Sequence, residues 1–104
     1  MADATMVYEF EWDPKKERAN QRKHGVPFEE AATVFLDPRA VSLYDEEHSE
    51  QEDRWITLGF SSTGRILVVC HTFQPIDEGR CRARIIMCRK ATRREGGAVW
   101  QVRG

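Results

Sequence analysis

The sequence carries no strong charge of one sign: 16 Lys and Arg stand against 17 Asp and Glu in 104 residues. Net charge alone therefore does not hold this chain to a nucleic acid. Cysteine is scarce and unpaired in spacing. Cys70, Cys81 and Cys88 make an odd count with no Cys-x-x-Cys. A disulfide framework and paired-thiolate zinc sites are excluded, and the three read as reduced core residues of a cytosolic protein. The histidines, His24, His48 and His71, show no His-Glu-x-x-His spacing, so neither a metal nor another cofactor is expected. Gly-x-Gly-x-x-Gly, P-loop and Gly-x-Ser-x-Gly motifs are all missing, which removes the enzyme classes built on them. The longest unbroken apolar run, Ile66 to Cys70, is far too short to span a bilayer. The opening MADATMVYEFEWD has no basic or apolar region of a secretory signal. A cytoplasmic protein with no membrane contact is expected. Repeats and low-complexity segments are absent.

What is present suits one small domain over residues 1–104. Five Phe, three Trp and two Tyr supply a modest core, and charged residues of both signs argue against disorder. The charge is segregated. Six acids, Asp45, Glu46, Glu47, Glu50, Glu52 and Asp53, lie in one stretch. Arg80, Arg82, Arg84, Arg89, Lys90, Arg93 and Arg94 crowd into another, around the apolar run Ile85-Ile86-Met87-Cys88. A neutral total hides an acidic loop and a basic surface. A core strand with arginines at its ends makes a rigid platform able to hold phosphates.

The periodicities predict the order of elements. Met6 to Trp12 alternates, with Tyr8, Phe10 and Trp12 on an aromatic inner face. Asp13-Pro14 starts a nearly all-polar helix that runs to His24 and stops at Gly25. Phe28, Ala31, Ala32, Phe35 and Leu36 mark the buried face of a second helix, ended by Asp37-Pro38. A short strand over Ala40 to Tyr44 precedes the acidic loop. Arg54 to Ser61 alternates with Ile56, Leu58 and Phe60 on one face. Ser62-Thr63-Gly64 makes a hairpin turn into a central strand, Arg65 to Phe73. A loop over Pro75 to Gly79 leads into the last strand, Arg80 to Arg89. A final helix starts at Lys90 and is broken by Gly96-Gly97. Tight turns make the late strands antiparallel, giving a two-layer α+β domain.

Three blocks, FEWDPKKERANQRKHGVPFEEAATVFLDP, DRWITLGFSSTGRILVVCHT and RARIIMCRKATRRE, resemble the BrnT toxins of bacterial type II toxin–antitoxin pairs. The likeness covers about Phe10 to Glu95, with the blocks in the family's order. It implies a RelE-like fold: an antiparallel sheet of four to five strands, two N-terminal helices packed on it and a short C-terminal helix. It implies a ribonuclease that uses no metal. It also implies a BrnA-like antitoxin partner with a ribbon-helix-helix part, through which alone the pair binds operator DNA. Two departures stand out. Met87-Cys88 replaces a usual Ser-Ala pair, and Gly96-Gly97-Ala98-Val99-Trp100 interrupts the charged final helix.

RNA carries its own nucleophile, the 2′-OH beside the scissile phosphate. Cleavage without a metal needs a base, an acid and cations for the developing charge. Arg84 and Arg89 match the two arginines of the family's R-I-I-x-x-R block. Five residues apart on a regular strand they point to opposite faces, unless a bulge intervenes or Arg89 lies beyond the strand. His71, where the family usually has Tyr or His, is either a packed strand residue or the acid–base group. His24 is either a helix cap or catalytic. Arg54 is either catalytic or an ion-pair partner of Glu52 or Asp53. Lys15, Lys23 and Arg93 are the expected RNA-binding charges, with a solvated face as the other reading. The rival to an endoribonuclease that inhibits translation and growth is a non-catalytic RNA- or protein-binding module.

Overall fold

A computed structural model of the protein describes residues 6–97. Its elements, in order, are β1 (Val7–Glu11), α1 (Pro14–His24), α2 (Phe28–Thr33) with a 3₁₀ turn Val34–Leu36, and β2 (Val41–Tyr44). A second 3₁₀ turn, Glu46–His48, precedes β3 (Arg54–Phe60), β4 (Ile66–Thr72), β5 (Gln74–Asp77) and β6 (Arg80–Lys90). A last helix covers 93–97. The six strands form one mixed sheet in the order β1-β6-β4-β3-β2, with β5 also paired to β6.

The α+β class stands as expected, but the sheet is larger than four to five strands and is not all antiparallel. β1 runs parallel to β6, Tyr8 opposite Cys81 and Phe10 opposite Ala83. The expected loop at Pro75 to Gly79 instead holds β5, which pairs with the start of β6 and turns at Glu78-Gly79. β6 is long enough to take β1 on one side and both β4 and β5 on the other.

Local chemistry sets the helix ends. Asp13 caps α1 by accepting the Lys15 N–H at 2.8 Å, and Gly25 closes it with φ +70°. The one buried residue of this polar helix is Asn20. Its Nδ2 donates to the carbonyls of Val26, at 3.0 Å, and Cys88, at 2.8 Å, while its Oδ1 accepts the Cys88 N–H. A single amide thus docks α1 on β6. Asn20→Ala strands two carbonyls and one N–H in the core, at a cost of about 3 kcal/mol. Thermal denaturation should show Tm lower by roughly 12–24 °C; an unchanged Tm refutes the docking role.

The core lies between the helices and one face of the sheet: Val26, Phe28, Ala31 and Val34 pack on Leu67, Val69, Ile85 and Cys88. Two expected faces are corrected. Leu36 is 80% exposed, because the second helix tightens to 3₁₀ at Val34 and the tighter winding carries Leu36 off the buried side. In β3 the helix side is Trp55, Thr57 and Gly59, not Ile56, Leu58 and Phe60, which lie half-buried on the other face. The cause is close approach. A Cβ at Gly59 would lie 3.0 Å from Ala40 Cβ and Asp37 Oδ2 and 3.1 Å from Val34 Cγ1, so a side chain there would push the helix layer off. Below it, Glu30 takes Arg65, Ser61 and Thr63, tying α2 to the β3–β4 hairpin. Arg65 foremost holds the Glu30 carboxyl down at about 2.

The final helix is not broken at Gly96-Gly97, which are both helical. It starts with a capping box: Thr92 Oγ1 accepts the Glu95 N–H and Glu95 Oε1 accepts the Thr92 N–H. That reciprocal pair outweighs the propensity cost of the glycines. The rest of the expected interruption, Ala98-Val99-Trp100, lies outside the described residues.

Candidate functional site

β6 carries a bulge. Cys70 of β4 faces Met87 and the next residue, His71, faces Ile85, so Ile86 is extra. The bulge inverts the alternation. Ile85 and Cys88 both point into the core, and Arg84 and Arg89 therefore share the opposite face. Of the two sequence readings, the bulge is the one that holds.

Arg54 stands on that same face, opposite Thr72, whose Oγ1 accepts the Arg84 N–H at 3.1 Å. Arg54, Thr72 and Arg84 thus form one row across three strands. Glu52, from the acidic loop, closes it. Its Oε1 accepts from Arg84 Nη2 and lies 3.7 Å from Arg54 Nη2. The Arg54 Nε is buried and has no hydrogen-bond partner among the described residues.

Arg89 stands opposite Val68, four residues along β4 from Thr72, a separation of about 13 Å. It stands apart from the row of Arg54 and Arg84 along the sheet. Both of its terminal nitrogens bond Glu95, each at 2.8 Å, and Arg89 foremost holds that carboxyl down at about 2. Between the two arginine groups lies Cys70; burial pushes its thiol up, as does Asp45, against Arg89 and Arg54. Arg93 is exposed on the final helix.

His71 is on the other face. It is 2% exposed, at the floor of a cavity of about 190 Å³ walled by Tyr8, Phe35, Trp55 and Phe73. Its Nδ1 donates to the Thr72 carbonyl at 2.8 Å, so its Nε2 accepts the Thr57 hydroxyl at 2.7 Å. Ser42 completes the chain at 2.8 Å from Thr57. Burial pushes the imidazole pKa down, toward the neutral form this chain requires. The structure does not bring His71 to the arginine row. Lys15, Lys23 and His24 lie on α1, in the helix layer, with both lysines exposed and His24 half-buried. They too are apart from Arg54 and Arg84.

Sequence reasoning passed over Glu52 and His48 as site residues: Glu52 entered only as an acidic-loop residue and candidate ion-pair partner of Arg54, and His48 only as a histidine without metal-ligand spacing. The loop folds back on β3: Ser49 Oγ accepts the Arg54 N–H at 3.0 Å and donates to the Asp45 carbonyl at 2.5 Å. A cleft of about 290 Å³ opens there, lined by Glu47, His48, Glu50, Gln51, Glu52 and Arg54. A signal existed: one histidine and one arginine inside a run of acids is an uneven composition.

Among the described residues, no cluster of three or more His, Cys, Asp or Glu is placed to hold a metal ion, and no helix is long and apolar enough to cross a membrane. A family model described as the ribonuclease toxin BrnT of type II toxin–antitoxin systems matches residues 12–95. Among solved structures, the chain is similar to the crystal structure of the Brucella abortus ribonuclease toxin BrnT. The two share 21% identity at a TM-score of 0.56, over 85% of this chain and 100% of that one. No curated protein matches.

Proposed function

Because the chain belongs to the BrnT family of ribonuclease toxins of type II toxin–antitoxin systems, we propose that it is a RelE-like endoribonuclease that works without a metal, cleaving cellular RNA and so stopping translation and growth. The row of Arg54 and Arg84 on one sheet face is the observation that carries this reading. Two guanidinium groups on the strands that flank β4 match the oxygens of one phosphate and stay charged at any working pH. Attack by the 2′-OH builds negative charge on that phosphate, and fixed cations stabilise it. Arg89 and Arg93 take neighbouring phosphates once Arg89 exchanges Glu95 for RNA. Lys15, Lys23 and His24 serve RNA that wraps past the helix layer. His71 acts through Thr72, whose carbonyl it bonds and whose hydroxyl accepts from Arg84. It is a positioning residue in this reading.

A partner follows from the same chemistry. A BrnA-like antitoxin with a ribbon-helix-helix part would cover the arginine face or add a strand at an open edge, and would alone carry operator DNA. β1 and β2 are the ends of the sheet order, with Val7 at 54% and Leu43 at 56% exposure.

The test is direct. Purified chain in excess EDTA is expected to cut a defined RNA into fragments ending in 2′,3′-cyclic phosphate and 5′-OH, read by mass spectrometry. A chain that shifts RNA in a gel yet leaves it whole is a binding module, and the enzyme reading is then wrong.

A further inference from the structure

We propose that Glu52 and His48, both on the acidic loop between β2 and β3, are the general base and general acid of the cleavage. This rests on the ribonuclease reading and supplies what it lacks, since the arginines cannot move protons and His71 is buried behind the sheet.

Four observations converge. Glu52 and His48 line the same cleft as Arg54, at about 290 Å³, near the lower end of small-ligand sites, roughly 300 Å³ upward. Glu52 uses Oε1 for both arginines, which leaves Oε2 to accept a proton. His48 is held by Asp45: its Nδ1 lies 2.9 Å from Asp45 Oδ2, and their exposures are 63% and 13%. A carboxylate only accepts, so Nδ1 carries hydrogen, and Nε2 is left to give and regain a proton on a side chain that is mostly exposed. Last, the buried Arg54 Nε has no hydrogen-bond partner among the described residues, and a shift of its side chain would offer this donor to an incoming acceptor. A phosphate oxygen is such an acceptor.

The charges around the cleft limit what enters. Glu47, Glu50 and Glu52 are its lining acids and Arg54 its lining cation, with Arg84 joined to it through Glu52. Acids outnumber cations there, so a phosphate is held only where it takes the place of Glu52 Oε1 at the two guanidinium groups, and the rest of the cleft repels backbone.

The step balances. Glu52 Oε2 takes the 2′-O–H proton as the bond from O2′ to phosphorus forms. The bond from phosphorus to O5′ breaks, and the Nε2 proton of doubly protonated His48 passes to O5′. The products are a 2′,3′-cyclic phosphate and a 5′-OH. Glu52 and His48 then exchange protons with water and regain their starting forms. Arg54 and Arg84 keep their charge throughout.

The experiment compares wild type, Glu52→Gln, His48→Gln and Glu46→Gln on one RNA in EDTA. Glutamine at 52 keeps an acceptor for Arg84 and removes the base. Glu52→Gln and His48→Gln are expected to cut 10²- to 10³-fold more slowly, with unchanged RNA affinity and Tm, and Glu46→Gln at the wild-type rate. Wild type should give a bell-shaped pH–rate profile; Glu52→Gln loses its acidic limb and His48→Gln its alkaline limb. Wild-type rates and profiles in both variants overturn the assignment and leave the ribonuclease reading standing. A wild-type chain that leaves RNA whole overturns both. Should Glu52→Gln lower Tm, Glu52→Asp is the second variant: partial activity with both limbs kept supports the base, and the Glu52→Gln profile repeated in it overturns the base.

Discussion

Arg84→Ala and Arg54→Ala should each cut RNA on the order of 10²- to 10³-fold more slowly than wild type, the loss seen when one preset donor to a developing anion is removed. Both sit on rigid strands, and Thr72 fixes the Arg84 backbone between them. The double variant should fall little further than either single one, because in the proposed mechanism the two arginines act on one phosphate. Stability should hardly change. The Arg84–Glu52 pair is about two-fifths exposed on each side, and such pairs contribute roughly 0–1 kcal/mol. Arg84→Lys should recover only part of the rate, since lysine keeps the charge and loses the fork. Arg89→Ala should behave differently. Its distance from the row makes it a contact to another phosphate, so KM should rise and kcat should hold. Arg82, paired with Glu9 and Glu11, is the control, and Arg82→Ala should match wild type. Single-turnover rates with Tm alongside decide it. Wild-type rates in folded Arg84→Ala and Arg54→Ala would remove the arginine row from the mechanism.

How much of this was legible in the sequence depends on how local the cause is. Helix ends were legible because Asp13, Pro14 and Gly25 act within a turn of themselves. The Ser62-Thr63-Gly64 hairpin was legible for the same reason, with Gly64 at φ +84°. The inner face of β3 was not. Alternation assigns Ile56, Leu58 and Phe60 inward because they are apolar, yet contact across 19 to 25 residues between Gly59 and Ala40, Asp37 and Val34 decides it. The parallel pairing of β1 with β6 is equally non-local, joining residues more than 70 apart. The placing of Arg84 and Arg89 on one face needed a bulge, and one extra residue in a strand leaves no periodic trace. His71 looked functional because its side chain is versatile; its place behind the sheet follows from the register that sets it opposite Trp55, with the Thr57 hydroxyl in reach of its ring.

Expressed alone in a bacterial host, the chain should arrest growth, and co-expression of the small reading frame beside its own should restore colony counts by several orders of magnitude. The reason is chemical. A ribonuclease with an arginine row on an accessible face damages the cell that makes it, so a cognate inhibitor must blunt it. The inhibitor should copurify as a complex and abolish cleavage, with tight binding that buries or shields Arg54 and Arg84. The β2 edge is the nearer place to grip. Among the described residues it pairs on one side only, and it exposes Leu43 and Tyr44 and leads directly into the loop that holds His48 and Glu52. A partner strand added there would lie beside the cleft, and basic side chains on it would find Glu46, Glu47 and Glu50. Leu43→Lys puts a charge on that edge without touching the core. It should keep toxicity and lose rescue, with affinity for the partner at least ~10-fold weaker by titration calorimetry. Amide exchange should slow at residues 41–44 in the complex. Exchange that slows over Val7–Glu11 instead would move the docking site to β1. A chain that is harmless alone, with no neighbouring product bound to it, would end the toxin reading for this protein.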